Sequence, residues 1–460
     1  MKLELPKEII ELAQKFKQNN FSLYLVGGSV RDLLLNKKNK DWDFTTDATP
    51  EEILKIMPEG FNNNNFGTVG LETELGIIEI TTMRKEGDYK DHRHPSTVGW
   101  TNKIEEDLAR RDFTINAMAF KLCDAQLPLA HGERGWGEGQ IIDQFNGQTD
   151  ITNRIIKAVG NAEDRFQEDA LRIMRAIRFS AQLNFEIEKE TLSAIVEKKE
   201  LLKEIAWERI RDELFKLLAT ENAYEGIVTL KETGILKIIL PELTNCFGIV
   251  QEGPKHDRIY DIGEHCFLSL KHCPSTDPLV KFATLLHDIG KVDTYKVASD
   301  GNVTFYNHEV VGASIAKQIC RRFNFSNDQL NKIYRLIRWH MFTINEDQTD
   351  ASIRRFIKNV ELENVDDMMA LRVGDRLGGG TKNAVSWRME KFRSRIDEVM
   401  TKPFSISDLK INGKDVMDTL QIKPGPQVGS ILQKLFDEVL EDANLNDKEI
   451  LLKKLQEYKN

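Results

Sequence analysis

The chain predicts an α+β protein in which a small mixed head of strands and helices precedes a long all-helical body. Three observations carry this. Strand-like and helix-like segments alternate over residues 1 to about 145. From about residue 150 apolar residues recur with a period near 3.6 and strand signals thin out. Within the first part, Leu25-Val26-Gly27-Gly28-Ser29-Val30-Arg31-Asp32 and then Asp41-Trp42-Asp43-Phe44 describe an apolar strand, a tight glycine turn, a helix start and a second strand bearing two acids.

Taken in order, residues 9–16 are spaced as a helix, and 23–26, 42–45, 68–71 and 77–82 as strands. Residues 170–183, 191–198, 207–218 and 223–233 follow as successive helices. Glycine-rich or polar joints are expected at 132–139, 244–257 and 401–405. The segment 83–100 is rich in charge and broken by Gly87, Pro95 and Gly99, which predicts a mobile loop.

Composition narrows the class. A chain of 460 residues has room for about three domains, and 40% apolar with 30% charged residues is ordinary for a globular protein. The net charge of −9 argues against a non-specific nucleic-acid coat but leaves room for a local basic surface. Lys37-Lys38-Asn39-Lys40 and Arg321-Arg322 are short basic clusters, expected to be solvated. No run approaches the roughly 18 apolar residues of a membrane span. Met1-Lys2-Leu3-Glu4-Leu5-Pro6 lacks the apolar core of a secretion signal. The five cysteines form no CxxC pair and suit reduced packing thiols, so a cytoplasmic protein is expected.

The chemistry-bearing residues fall into three groups. Gly27 and Gly28 let backbone N–H groups approach a triphosphate closely. Asp41 and Asp43, at i and i+2 on a strand, share a face and can chelate hard cations bridging an incoming nucleotide and an attacking hydroxyl. Glu79, alone in an apolar strand, is either a third carboxylate of that site or an ordinary strand-face acid. Arg110-Arg111-Asp112 is a helix-end ion-pair cluster or a nucleotide contact, since an arginine fork binds phosphate or a ribose edge in two places.

The second group is Glu168-Asp169-Ala170-Leu171-Arg172-Ile173-Met174-Arg175, where Asp169, Arg172 and Arg175 follow helical spacing. It is either a surface ion-pair ladder or a base reader. Cytosine and adenine each present an amino donor beside a ring-nitrogen acceptor. A carboxylate can accept from the first while a guanidinium donates to the second. Uracil and guanine reverse the pattern, and each mismatched buried group costs about 1–3 kcal/mol. The third group is His265, His287, Asp288, His308, His340 and Asp375, whose imidazoles and carboxylates suit a divalent metal.

The run over 25–44 resembles the head of the polymerase-beta-like nucleotidyltransferases. With Arg-Arg-Asp-Phe-Thr-Ile-Asn-Ala-Met-Ala at 110–119, it more narrowly resembles the bacterial tRNA nucleotidyltransferase and poly(A) polymerase family. The resemblance spans roughly residues 20–385. It implies Mg²⁺ held by Asp41 and Asp43 with Glu79 as the accompanying acid. It puts Gly27, Gly28, Ser29, Arg31 and Arg111 at the nucleotide, with Asp112 at the nucleotide's sugar or at a structural partner. Asp169 and Arg172 would read the base, with Arg175 supporting the site. It implies that the 83–100 loop helps switch between nucleotides and that Glu208-Arg209-Ile210-Arg211-Asp212-Glu213-Leu214 is a helix-stabilising network.

The His/Asp set resembles the HD metal-dependent phosphohydrolases, with His265, His287, Asp288 and Asp375 at core ligand positions and His308 and His340 at the additional ones. The implied domains are a nucleotidyltransferase head at 1–145, a nucleotide-selecting and RNA-binding neck at 146–240, an HD domain at 241–390 and a helical tail at 391–460. The implied activity is template-independent addition of CCA to the tRNA 3′ end from CTP and ATP, with no membrane and no protein partner. Poly(A) polymerase or an A-adding partial enzyme is the alternative. A second is an HD phosphohydrolase with a nucleotide-binding head. The Gly67-Thr68-Val69 turn and the acidic charge favour the tRNA branch, and the full-length loop speaks against a CC-only enzyme.

Overall fold

In the strand Trp42–Thr46 of the head apolar and polar residues alternate at its start, and the alternation decides what faces the core, whereas Leu23–Val26 is buried throughout. The structure is a computed structural model describing residues 2–37, 39, 41–62, 67–87, 98–122, 134–138, 140–251, 260–299, 301–342, 348–381, 383, 387–400 and 406–458. It divides into two compact units, Met1–Pro241 and Glu242–Asn460.

The sheet of the first unit has seven strands: β1 (Leu23–Val26), β2 (Trp42–Thr46), β3 (Phe61–Asn62), β4 (Thr68–Thr73), β5 (Gly76–Thr82), β6 (Ala119–Lys121) and β7 (Ile141–Ile142). Their spatial order is β7-β6-β1-β2-β5-β4-β3. Within this sheet, among the described residues, only β2 and β5 run parallel, and that register pairs Asp43 with Glu79. Trp42, Phe44, Ile78 and Ile80 are buried on one face, so the two acids between them share the other. Helix α1 (Gly28–Leu34) starts directly behind β1.

The expected helix at 9–16 is found as Lys7–Gln18, and the four expected strands are β1, β2, β4 and β5. The expected joint at 132–139 is different: Arg134–Glu138 is a strand paired antiparallel with Lys2–Pro6. Such a long-range pairing leaves no local signature. The ends of the 83–100 segment also pair, Arg84–Glu86 with Val98–Trp100, and Met83 is buried. Residues 88–97, like the expected joint at 401–405, lie outside the described residues.

Behind the sheet come helices α2 (Ala162–Glu168), α3 (Leu171–Leu183) and α4 (Trp207–Leu218), with α3 packed on both others. The helical face expected across 168–175 is interrupted. Asp169 is extended, with φ −137° and ψ 101°. Its Oδ1 accepts the Leu171 N–H at 3.1 Å, a side-chain-to-backbone bond that favours a helix boundary. Arg178 Nε donates to Glu213 Oε2 at 2.6 Å, a buried tie between α3 and α4.

The second unit is helical apart from two-residue strand pairs among the described residues. Its core joins α5 (Ile262–His272), α6 (Pro278–Leu286), α7 (His308–Arg322), α8 (Asn327–Trp339) and α9 (Val365–Gly378). Helix α6 is started by Asp277, whose carboxylate accepts the Leu279 N–H, and by Pro278 at its first turn. Helices α5 and α9 approach closely because Gly374 and Gly378 lie against the Ser269 backbone, where a Cβ would clash. The helices Gly413–Leu420, Pro426–Glu441 and Lys448–Glu457 enclose a separate apolar cluster around Val416, Leu435, Val439, Leu451 and Leu455.

Candidate active site

All twelve residues singled out in the first unit line one cleft of about 1430 Å³. Gly27 comes from the β1–α1 turn and Gly28, Ser29 and Arg31 from the first turn of α1; Asp43 and Glu79 come from β2 and β5, Asp41, expected on the strand, from the residue just before β2, and Arg111 and Asp112 from the segment before β6. Asp169, Arg172 and Arg175 come from the α2–α3 junction.

The turn is built for close approach. Gly27 has φ +66°, a backbone conformation that favours glycine, and Arg111 Nη1 lies against the space a Cβ would take. Ser29 Oγ donates to the Asp41 carbonyl at 3.1 Å and accepts the Asp43 N–H at 3.0 Å, pinning the turn to the acidic strand. Burial pushes the Asp43 carboxyl up, Arg111 pulls it down, and Glu79 and Asp41 push it up again; the net shift is upward. Crowded carboxylates of this kind are relieved by a hard divalent cation, so the donor set fits Mg²⁺.

Arginines form the opposite wall. Arg31 donates from Nη1 to Asn116 Oδ1 at 2.8 Å and pairs with Asp32. Asp112 Oδ2 accepts Arg175 Nε at 2.7 Å and its Oδ1 accepts the Phe113 N–H at 2.8 Å. Burial would raise the Asp112 carboxyl, but Arg175 and Arg172, with hydrogen bonds from Arg175 and Asn116, hold it at about 2. Asp112 is therefore a fixed anion that orients Arg175.

Asp169 and Arg172 both line the cleft but do not pair with each other. Arg172 donates from Nη1 to Glu168 Oε2 at 2.7 Å and to the Arg165 carbonyl at 3.1 Å, and from Nη2 to the Arg110 carbonyl at 2.8 Å. Asp169 is instead met by Arg209 of α4, whose Nη2 reaches Oδ1 at 3.4 Å and Oδ2 at 3.1 Å.

Sequence reasoning missed two supports. Asp107, fully buried, receives Arg110 Nη2 at 2.7 Å and Arg111 Nη2 at 3.4 Å and so anchors both arginines. Its i, i+3 and i, i+4 spacing to them was the available signal. The other is Arg209, which lies inside the stretch read as a helix-stabilising network. Glu213 of that stretch does serve as a helix tie, but Arg209 contacts the cleft.

In the second unit the structure brings His265, His287, Asp288, His308, His340 and Asp375 together. His265 Nε2 lies 3.2 Å from Asp288 Oδ2 and 3.3 Å from Asp375 Oδ1. His287 Nε2 lies 3.3 Å from Asp288 Oδ2. On the other side of Asp288, His308 and His340 approach Oδ1 at 3.3 and 3.6 Å. The Nδ1 atoms of His287, His308 and His340 face the carbonyls of Thr284, Phe305 and Ile337 at 2.7–2.9 Å. Donating there turns each Nε2 inward, where it can give a lone pair to a metal once its proton is displaced. Two triads, His265-His287-Asp288 and Asp288-His308-His340, have geometry for an ion.

The electrostatics agree. Burial pushes His287 down, but Asp288 and Asp375 hold it at about 10. Asp288, despite burial, is kept well below the carboxylate range by His287 and Lys291, and Asp375 by His265 and His287. The cluster thus favours positive charge at its centre.

A mixed sheet presenting paired carboxylates beside a glycine turn, opposite an arginine wall, defines a nucleotidyltransferase. Three family models match: a poly(A) polymerase head domain over residues 23–157, a probable RNA and SrmB-binding site of polymerase A over 184–247, and a putative tRNA nucleotidyltransferase domain 2 over 306–455. The chain is 32% identical to the CCA-adding enzyme of Ligilactobacillus salivarius, covering 98% of this chain and 97% of that one. It is also 32% identical to the A-adding tRNA nucleotidyltransferase of Deinococcus radiodurans, over 90% of each. The crystal structure of the Bacillus stearothermophilus CCA-adding enzyme in complex with CTP superposes with a TM-score of 0.71 at 26% identity, covering 98% and 97% of the two chains. The chain belongs to the CCA-adding enzyme family of tRNA nucleotidyltransferases. No described helix is long and apolar enough to cross a membrane.

Proposed function

We propose that the chain adds C, C and A to tRNA 3′ ends from CTP and ATP without a nucleic-acid template. The observation that carries this is the convergence of acids, glycine turn, arginines and the Asp169/Arg172 region on a single cleft. Asp41 and Asp43, with Glu79 beside them, are the residues suited to hold Mg²⁺. Bound there, the ion would activate the 3′ hydroxyl and neutralise the triphosphate. The first-turn N–H groups of α1 lack intrahelical acceptors and suit phosphate oxygens. Arg111 adds a guanidinium beside the turn, and Asp112 keeps Arg175 in place. Asp169 supplies the acceptor and Arg172 the donor that suit cytosine and adenine. We assign the head to 1–145, the neck to 146–240 and the tail to 391–460, in a cytoplasmic enzyme.

The test supplies tRNAs ending before CCA, at C and at CC, with each nucleoside triphosphate alone and then CTP with ATP. Two C additions and one A, then a stop, are expected. Incorporation of A alone, onto the CC-ending tRNA only, would make it an A-adding enzyme like the Deinococcus relative. Long A tails on arbitrary RNA would make it a poly(A) polymerase.

A second reading concerns residues 241–390. The inward Nε2 atoms around Asp288 favour a resident divalent metal held by His265, His287, Asp288 and Asp375, with His308 and His340. The HD resemblance makes phosphoester hydrolysis the chemistry to assay. Phosphate release lost in His287→Ala supports it. Protein that takes up no divalent ion overturns it.

A further inference from the structure

Asp169 sits between two helices, its N–H bonded to the Arg165 carbonyl and its own carbonyl accepting the Arg172 N–H. The side chain's orientation depends on what holds the carboxylate. The Leu171 N–H takes one lone pair of Oδ1. Arg172 is engaged elsewhere, by Glu168 and two main-chain carbonyls. The remaining holder is Arg209, which arrives from 40 residues away and spans both carboxylate oxygens. A carboxylate has about four lone-pair sites. With these contacts made, Oδ2 keeps one open.

We infer that Arg209 is a positioning residue for base selection: it holds Asp169 so that the open site of its carboxylate meets the exocyclic amino group of cytosine or adenine. This rests on the proposal that Asp169 reads the base. Arg209 lines the same cleft. Its Nη1 is buried with no hydrogen-bond partner. An unpaired buried donor is unfavourable by itself, so the contact with Asp169 is what keeps the guanidinium in the cleft wall. A helix-stabilising role, by contrast, belongs to Glu213, which lies one turn further along α4 and ties to Arg178.

The experiment measures kcat and KM for CTP, ATP, UTP and GTP on a CC- or C-ending tRNA. It compares wild type, Arg209→Gln, Arg209→Lys, Asp169→Asn and the Arg209→Gln/Asp169→Asn double variant, with melting curves for each. Expected is a rise of about tenfold to a hundredfold in KM for CTP and ATP in Arg209→Gln, together with a loss of discrimination against UTP and GTP. Partial rescue is expected in Arg209→Lys, and the double variant should be no worse than Asp169→Asn. Should Arg209→Gln fold poorly, Arg209→Lys, alone and combined with Asp169→Asn, decides, because a merely structural role leaves the CTP-to-UTP ratio unchanged and a direct contact adds to the loss in Asp169→Asn. If Asp169→Asn relaxes selection while both Arg209 variants leave the ratio at wild type, the inference falls and the base-reading proposal stands. If Asp169→Asn itself leaves selection unchanged, both fall.

Discussion

The head and the body each gather carboxylates suited to a cation, and they do so in opposite ways. Asp41, Asp43 and Glu79 line an open cleft and have no imidazole among them. Asp288 is 2% exposed and ringed by four histidines. An oxygen-only, accessible set suits a hard ion that arrives with a nucleotide and leaves with pyrophosphate. A buried nitrogen-and-oxygen set suits an ion that stays. Clustered carboxylates are thus suited to exchange in one unit and to retention in the other.

The sharpest way to break this contrast is to remove one carboxylate from the head. Asp43→Asn is expected to lower nucleotide incorporation at least about 10³-fold. Because Asp43 is crowded by Glu79 and Asp41, its loss relieves repulsion, and thermal stability should hold. A matching loss of folding in melting curves would make Asp43 a structural residue instead.

The counterpart is His287→Ala. It should abolish divalent-metal uptake by the body, read by elemental analysis, while CCA incorporation stays within about twofold, since no residue of the body cluster lines the cleft. At a hundredfold excess over its dissociation constant a resident ion adds about 3 kcal/mol to the folded state. Chelation should therefore lower the melting temperature of wild type and leave that of His287→Ala unchanged.

pH separates the two regions a third way. Asp112 titrates at about 2 when folded, against 3.8 for the ordinary group. Its folded value is depressed, so its stabilisation is present above pH 3.8 and is lost as pH falls toward 2, about 2 kcal/mol in all. His287 moves the other way, raised from 6.5 to about 10. Its contribution is complete below pH 6.5 and is lost as pH rises through 10. Asp288 and Asp375, held low, add an acid limit to the body as well. Metal-stripped protein should thus show an alkaline stability loss that Asp112→Asn does not alter and that metal loading suppresses.

What could be read from the chain follows from how local each signal is. The strand that bears Asp43 needs only the two-residue period, and the glycine turn only its own backbone, so both were legible; Asp41, read as sharing that strand, lies just before it. Glu79 needed a parallel partner strand; its residue type was visible but its neighbour was not. The Arg134–Glu138 pairing with Lys2–Pro6 and the Arg209–Asp169 contact join residues far apart in sequence, and no local pattern announces them. The break at Asp169 was hidden because helical spacing of charges persists across it, while the aspartate's own bond to Leu171 ends the helix. Asp107 was overlooked for the opposite reason: its partners are adjacent, and such spacing usually marks a solvated ion pair.

The smallest expected effect tests how each cluster is held. In the head, the acidic strand is tied to the turn by one hydroxyl, Ser29 Oγ, through two hydrogen bonds. Ser29→Ala leaves the Asp43 N–H and the Asp41 carbonyl without that partner, a loss of about 1–2 kcal/mol. It should raise the Mg²⁺ concentration needed for half-maximal incorporation several-fold. In the body, the imidazoles are oriented by main-chain carbonyls, which no side-chain exchange removes. Thr284→Val deletes the hydroxyl that bonds Val280 but keeps the Thr284 carbonyl facing His287 Nδ1. It should cost about 1 kcal/mol of stability and leave metal content unchanged. Metal loss in Thr284→Val, or an unmoved Mg²⁺ requirement in Ser29→Ala, would mean that the two clusters are held alike.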